Sequence, residues 1–125
     1  MASAAESLAA LVGELEQLCA HAERHLLALR WSDLESTLAD QRRVIAALTN
    51  AAYATAGQRS AQFDEELDRR VTRIYAVRDG QLKRLVAFRD NVRRRLSTIS
   101  KVKQARRSFG SYAPRPAVGH LDTMR

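Results

Sequence analysis

The chain has 125 residues but only one cysteine, two prolines and five glycines. A single cysteine excludes an intramolecular disulfide framework. The glycines stand apart from one another, which excludes a glycine-rich phosphate loop. No apolar run approaches the roughly 20 residues that a membrane-spanning helix requires, and residues 1–6 lack the basic region and apolar block of a secretory signal. These absences favour one soluble, cytoplasmic helical domain with few tight turns and no membrane insertion.

The chain also carries few residues from which an enzyme or a metal site could be built. His21 and His25 stand four residues apart and close to Cys19, so two imidazoles could reach one metal ion from a single helix face. The next histidine is His120, and no acidic residue completes a metalloprotease pattern. We therefore predict no metal site, no cofactor, no small-molecule substrate and no enzymatic activity.

Apolar residues recur at steps of three and four along most of the chain, a pattern typical of amphipathic helices. The first helix is expected over about 3–30, with a main stripe formed by Leu8, Leu11, Leu15, Leu18, Ala22, His25 and Leu29. A second apolar row widens this stripe at Val12, Cys19 and Leu26. Ser32 and Glu35 have the spacing of a capping box, which predicts that a second helix begins at Ser32. Gly57 is its expected stop.

The second helix is expected to pack through Leu34, Leu38, Gln41, Ile45, Leu48, Ala52 and Thr55. A third segment opens near Ser60 and keeps its period for about 45 residues, through Phe63, Leu67, Val71, Ile74, Val77, Leu82 and onward. Asp79-Gly80 is the one turn-type dipeptide inside it, so this helix is expected to be continuous or bent, with a break there as the alternative. The fold is therefore predicted to be all-α, an antiparallel bundle or coiled coil of three long helices. It should form a single domain over 1–109, with a flexible tail over 110–125.

Charge is distributed unevenly along the chain. Residues 1–58 hold four arginines against seven acidic residues, a net charge of −3. Residues 59–125 hold seventeen basic residues against seven acidic ones, a net charge of +10. An acidic helix that pairs antiparallel with a basic one would use this asymmetry to set its register. The basic excess would also suit nucleic acid or an acidic protein partner.

Basic residues are concentrated in the last helical segment and its exit, at Lys83, Arg84, Arg89, Arg93, Arg94, Arg95, Lys101, Lys103, Arg106 and Arg107. A phosphate backbone would bind such a surface whatever its base sequence. Apolar residues lie between these charges at helical spacing, however, so many of the arginines are expected on the solvated side of an amphipathic helix. No helix-turn-helix or RNA-binding aromatic pattern accompanies them. Nucleic-acid binding is thus an alternative rather than the main expectation.

Three aromatic residues stand outside the regular stripes. Trp31 lies at the junction of the first two helices, where a lone tryptophan is expected to plug the end of the core. Phe109 and Tyr112 lie in a short stretch interrupted by glycine and proline, which cannot bury them in the main core. They are therefore candidate contact residues, unless they fold back onto the last helical turn.

Two long segments and the C-terminus carry a further pattern. Segment 26–48, LLALRWSDLESTLADQRRVIAAL, combines a helix end, a Trp/Asp-containing junction and a Leu, acid or Gln, Arg, apolar rhythm. Segment 85–112 is a long basic helix with an aromatic-glycine-aromatic exit, and 120–125 is a short tail with a Leu-Asp pair. These features resemble flagellar export chaperones of the FliT and FlgN type, and the resemblance covers most of the chain.

The resemblance implies a cytoplasmic, non-enzymatic chaperone that holds the terminal helix of a flagellar filament-associated protein and escorts it to the export gate. Such a client would bind in helix-in-groove mode to apolar residues that the chaperone's own core leaves uncovered. The client-binding residues are expected to be Leu85, Phe88, Val92, Leu96 and Ile99, with Arg89 and Arg93 attracting acidic client residues. By its position Tyr112 matches the tyrosine with which this family contacts the export gate, and Phe109 is the alternative.

Two other functions fit the same sequence. A basic nucleic-acid-associated protein would use the arginines, and a structural coiled-coil subunit would use the apolar faces for assembly alone. The sequence is compatible with a monomer and with a homodimer paired through its exposed apolar residues. It does not distinguish a filament cap from a hook–filament junction protein as the client.

Overall fold

Over residues 3–112 the chain forms three α-helices. The computed structural model describes residues 3–112, with side chains described over 3–109, and contains no strand in that range. Helix α1 spans Ala4–Leu27, α2 spans Trp31–Ala54 and α3 spans Ala61–Tyr112. The predicted all-α architecture of three long helices is confirmed.

Helix α3 runs through Asp79-Gly80 without a break. The chain divides into two compact units, Met1–Leu85 and Val86–Arg125, and this division falls inside the domain predicted over 1–109. The first unit contains α1, α2 and the first part of α3, and the described part of the second unit is the remainder of α3. Of the tail predicted over 110–125, only the backbone of 110–112 lies within the described residues, as the last residues of α3.

Helices α1 and α2 pack antiparallel, and their backbones come closest of any helix pair in the described chain. Leu26, near the end of α1, packs with Leu34, near the start of α2. At the other end, Leu8 of α1 and Leu48 of α2 belong to one apolar cluster, to which α3 contributes Ile74. The core of the first unit therefore lies between all three helices.

Covered residues in each helix follow alternating steps of three and four, which is the spacing of a coiled-coil seam. The seam of α1 consists of Leu8, Val12, Leu15, Cys19, Ala22 and Leu26, all buried. That of α2 consists of Leu34, Thr37, Gln41, Val44 and Leu48, also buried. On α3, the buried or half-buried residues from 71 to 85 are Val71, Ile74, Arg78, Gln81 and Leu85. The first unit thus has the pattern of a three-helix coiled coil.

The predicted stripe of α1 is partly wrong: its Leu8, Leu15 and Ala22 are buried, but the other buried residues come from the adjacent row. Leu11 and Leu18 are only half-buried, while Val12 and Cys19 are buried in their place. Leu29 is exposed. The small side chains of the buried Cys19 and Ala22 are compatible with the close approach of α1 and α2.

The stripes of α2 and α3 need similar corrections. On α2, Thr37 and Val44 are buried, whereas the predicted Leu38 and Ile45 are half-buried. On α3, the predicted Val77 and Leu82 are exposed, and the covered positions beside them belong to Arg78 and Gln81. Hydropathy alone misplaces these rows because polar side chains occupy seam positions where a neighbouring helix offers them partners.

Two buried glutamines join the helices at one level of the bundle. The Gln41 Nε2 atom donates to the carbonyl oxygen of Leu18 at 3.3 Å, and its Oε1 accepts from Nε of Arg78 at 3.0 Å. One residue further along α1, the carbonyl oxygen of Cys19 accepts from Nε2 of Gln81 at 3.0 Å. Buried polar groups are costly unless they are paired. These bonds therefore select one register of α2 and α3 against α1.

Ion pairs attach α3 to α1. Nη2 of Arg70 lies 2.5 Å from Oε1 of Glu16, and Arg84 pairs with Glu23. The order along α1 matches the order along α3, so these two helices run parallel. The hydrogen bond and charge of Arg70 lower the pKa of Glu16 from its ordinary value, and the hydrogen bond from Arg84 is the main reason why the pKa of Glu23 is lowered.

The helix ends show why the predicted boundary between α1 and α2 is wrong. Leu29 adopts the left-handed conformation, with φ of 56°. The Arg30 N–H donates to the carbonyl of His25 and the Leu29 N–H to that of Leu26, which is a Schellman motif. Helix α2 then begins at Trp31 without a side-chain cap, so the expected Ser32 capping box does not form.

The N-termini of the other two helices carry side-chain caps. A capping box exists at the start of α1, where Ser3 and Glu6 exchange hydrogen bonds between side chain and backbone. At the start of α3 the Ser60 hydroxyl accepts from the Phe63 N–H, in agreement with the opening predicted near Ser60. Gly57 has positive φ in the turn between α2 and α3.

Two leucines of α1 differ strongly in their solvent exposure. Leu15 is 1% exposed and Leu27 is 72% exposed. Leu15→Ala should lower the free energy of unfolding by about 2–5 kcal/mol, because it leaves a cavity in the core. Leu27→Ala should change it by less than about 0.5 kcal/mol. Urea unfolding followed by circular dichroism measures both, and equal losses would contradict the α1 seam.

The ion pairs predict an acid-sensitive attachment of α3. Because the pKa values of Glu16 and Glu23 are lowered in the folded chain, the stability they add is present above their ordinary pKa and is lost as pH falls through the lowered values. These side chains are partly exposed, so Glu16→Gln with Glu23→Gln should cost only about 1 kcal/mol at pH 7. Urea unfolding at pH 7, 5 and 3 should show this difference shrinking with acid. A difference that stays constant would contradict the pairing.

Candidate functional site

The described part of the second unit is exposed throughout. Every residue from 86 to 109 is exposed, although the segment includes the large apolar residues Val86, Phe88, Val92, Leu96, Ile99, Val102 and Phe109. Leu96 is 60% exposed and Ile99 is 52% exposed. Apolar side chains of this size normally contribute about 1.5–3 kcal/mol each when a folded protein buries them. This helix segment therefore carries apolar surface that a partner could cover.

Four of these residues lie along one face of α3. Phe88, Val92, Leu96 and Ile99 are separated by steps of four, four and three residues, which keeps them on one side of a helix. We call these four residues the exposed strip. Leu85, the fifth predicted client-binding residue, is half-buried and packs against the cluster of Ala22, Leu26 and Leu34. The structure therefore separates Leu85, as part of the core of the first unit, from the exposed strip.

The exposed strip lies in a strongly basic environment. Residues 86–109 contain eight basic side chains and one acidic side chain, Asp90, which gives a net charge of +7. Arg89 approaches Asp90 at 3.4 Å. For Arg93, Arg94 and Arg95 the described chain offers no carboxylate partner. A partner that covers this face would meet uncompensated positive charge on both sides of the strip.

The first unit contains a separate cleft between α2 and α3. It has a volume of about 520 Å³, and its walls include Leu34, Leu38, Leu82 and Leu85. Gln41 and Gln81 line it as well, beside Arg78. The amide groups of both glutamines already form the hydrogen bonds described above, so the cleft combines apolar walls with the charged side chains of Arg42, Arg78 and Asp79. Sequence patterning missed this cleft because it is formed by residues far apart in the chain.

The residues considered as metal ligands do not form a site. Cys19 is 5% exposed, and burial raises the pKa of its thiol. His21 is exposed and His25 is half-buried. Within the described residues no group of three or more histidine, cysteine or acidic side chains is arranged to hold a metal ion. A buried thiol with a raised pKa is also a poor nucleophile.

The three aromatic residues outside the predicted stripes lie on the surface or at the limit of the described chain. Trp31 is 39% exposed at the first position of α2, so the expectation that it plugs the core is wrong. Phe109 is exposed near the end of α3. Tyr112 is the last residue of α3, and its side chain lies outside the described part of the chain.

Comparison with known proteins gives no match to any protein-family model, curated protein or solved structure. Within residues 3–112, every helix is too short or too polar to span a bilayer. The function therefore has to be inferred from the exposed strip, its charges and the organisation of the helices.

Proposed function

We propose that this protein is a non-enzymatic helical chaperone that binds the terminal amphipathic helix of a flagellar filament-associated protein and keeps it competent for export. The observation that carries the proposal is the exposed strip on α3. Its four apolar residues lie on one face of a basic helix, and each is exposed in the isolated chain. A row of apolar residues at this spacing suits an amphipathic client helix.

The charges beside the strip support a protein client with acidic residues. Arg89 directly follows Phe88 in the sequence, and Arg93 directly follows Val92. Positive groups at the edge of an apolar contact attract and orient a negatively charged partner, and they contribute more to the association rate than to the final affinity. In this proposal the exposed strip supplies the affinity and the arginines supply the steering.

The flagellar part of the proposal comes from the sequence resemblance to export chaperones of the FliT and FlgN type. The three-helix architecture and the long basic α3 are compatible with it. Under this proposal the protein acts in the cytoplasm, and Tyr112, or alternatively Phe109, contacts the export gate at the end of α3. The client is a filament cap or a hook–filament junction protein.

Nucleic-acid binding is a second candidate, favoured by the net charge of +7 over residues 86–109. The two functions respond differently to salt. Binding to a phosphate backbone releases counterions, so its affinity falls steeply with salt concentration in proportion to the number of phosphates contacted. A helix held by apolar contacts loses much less affinity under the same change.

Client capture should depend on the exposed strip. Replacing Val92 and Leu96 together by aspartate should abolish co-elution of the full chain with C-terminal fragments of flagellar cap or hook–filament junction proteins. The reason is that two charges would have to be buried without partners. Size-exclusion chromatography at low and high salt measures this capture, with duplex DNA examined in parallel.

The matched control replaces Ser97 and Gln104, which lie on the far side of the helix from the strip, by aspartate. It adds the same charge and should retain capture, as should Tyr112→Ala, because gate contact is separate from client binding. Far-UV circular dichroism should be the same for all variants. Capture that survives in the Val92 and Leu96 variant would contradict the strip, and salt-sensitive DNA binding without client capture would favour the nucleic-acid function.

A further inference from the structure

The seam of α3 keeps its spacing after the buried part ends. In the first unit the covered positions from 71 to 85 follow steps of three, four, three and four. The same alternation continues in the sequence at Phe88, Val92, Arg95, Ile99 and Val102. A seven-residue repeat held over this length is the pattern of a helix that packs against another helix along its whole extent. Val92, Ile99 and Val102 therefore have the spacing of a coiled-coil seam, yet all three are exposed.

One position in this continued seam is charged. Arg95 occupies the place between Val92 and Ile99 where an apolar residue is expected, and Leu96 stands next to it. A charged or polar residue at a single seam position reduces the stability of a coiled coil but specifies which partner it accepts. Arg94, the preceding residue, lies about 100° around the helix from Arg95 and outside the seam. These two neighbouring arginines therefore differ in position relative to the seam but not in charge.

A second copy of this chain is a poor partner for the continued seam. In either orientation two copies would bring together two segments that each carry a net charge of +7. In a parallel pair Arg95 would also face Arg95 in the interface. Like charges placed opposite one another across an interface disfavour that pairing.

We propose that the seam of α3 beyond Leu85 accepts an acidic, heptad-patterned helix, and that Arg95 selects partners that place a carboxylate at the opposing seam position. This deepens the proposed function, because it rests on the helix-binding exposed strip and states the chemistry of the client. Arg95 acts as a specificity-determining residue. The guanidinium can form two parallel hydrogen bonds with one carboxylate, which gives the pair a defined geometry.

Two synthetic helices test this inference with the full chain. Each is a four-heptad peptide with leucine at the seam positions and glutamate on both flanks, so that each peptide repels itself. One carries glutamate at a single central seam position, and the other carries lysine there. The unaltered chain should bind the glutamate peptide at least about tenfold more tightly than the lysine peptide. Isothermal titration calorimetry or fluorescence anisotropy measures both affinities.

The charge reversals Arg95→Glu and Arg94→Glu form a matched pair, because both change the net charge equally. Arg95→Glu should reverse the preference, so that the lysine peptide becomes the better ligand. Arg94→Glu should weaken the binding of both peptides by the same factor, so that the glutamate peptide remains the better ligand. Equal effects of the two substitutions would overturn the inference, because they would show that net charge alone governs binding. A chain that forms a tight dimer in sedimentation velocity without any peptide would also overturn it, as would equal binding of the two peptides.

The outcomes separate this inference from the proposed function. If the chain discriminates between the peptides through Arg95 but captures no flagellar fragment, the flagellar function fails and the acidic helix specificity stands. If it captures a flagellar fragment equally well with Arg95→Glu and Arg94→Glu, the function stands and the specificity of Arg95 fails. Vesicles containing anionic phospholipid provide a final comparison. Stronger binding to vesicles than to either peptide would contradict a helix as the occupant of the seam.

Discussion

Burial of one narrow seam on each helix is the interaction on which the described structure depends. The seams of α1 and α2, each with alternating steps of three and four, supply nearly all the buried apolar side chains of the first unit. On α3 the covered residues fall on the same spacing, but they include fewer apolar groups and more long polar ones. The attachment of α3 consequently combines modest apolar burial with hydrogen bonds and ion pairs, which makes it the more sensitive to acid and salt.

The buried glutamines of α2 and α3 fix the register of these helices against α1. Gln41 and Gln81 donate to the carbonyls of Leu18 and Cys19, two consecutive residues of α1. A shift of either helix along α1 would leave a buried amide without a partner, at a cost of about 1–3 kcal/mol. The same principle applies in the continued seam, where Arg95 would be costly against an apolar partner and favourable against a carboxylate. Polar groups in the seam thus specify which helices pair, in addition to how tightly they pair.

The existence and number of the helices could be predicted from the sequence because helical periodicity is local. The choice of the buried row could not, because Leu11 with Leu18 and Val12 with Cys19 form adjacent rows of similar hydropathy. Which of these two rows is buried depends on how α2 packs against α1. Arg78 and Gln81 were missed as covered residues since their partners lie on other helices. The turn at Leu29 was missed because a leucine in the left-handed conformation has no signal in the sequence.

Four of the five predicted apolar client contacts are exposed on α3, while Leu85 packs in the core.

Hydrogen exchange followed by mass spectrometry on the isolated full chain tests the central claim most directly, which is that the seam of α3 is covered before Leu85 and uncovered after it. Amide protection depends on how rarely a segment opens, and a segment with little tertiary packing opens readily. We predict slower exchange over 71–85 than over 86–109, and slower exchange over 86–109 when an acidic partner helix is added. Equally slow exchange of both segments in the isolated chain would contradict the claim, because the seam would then already be covered.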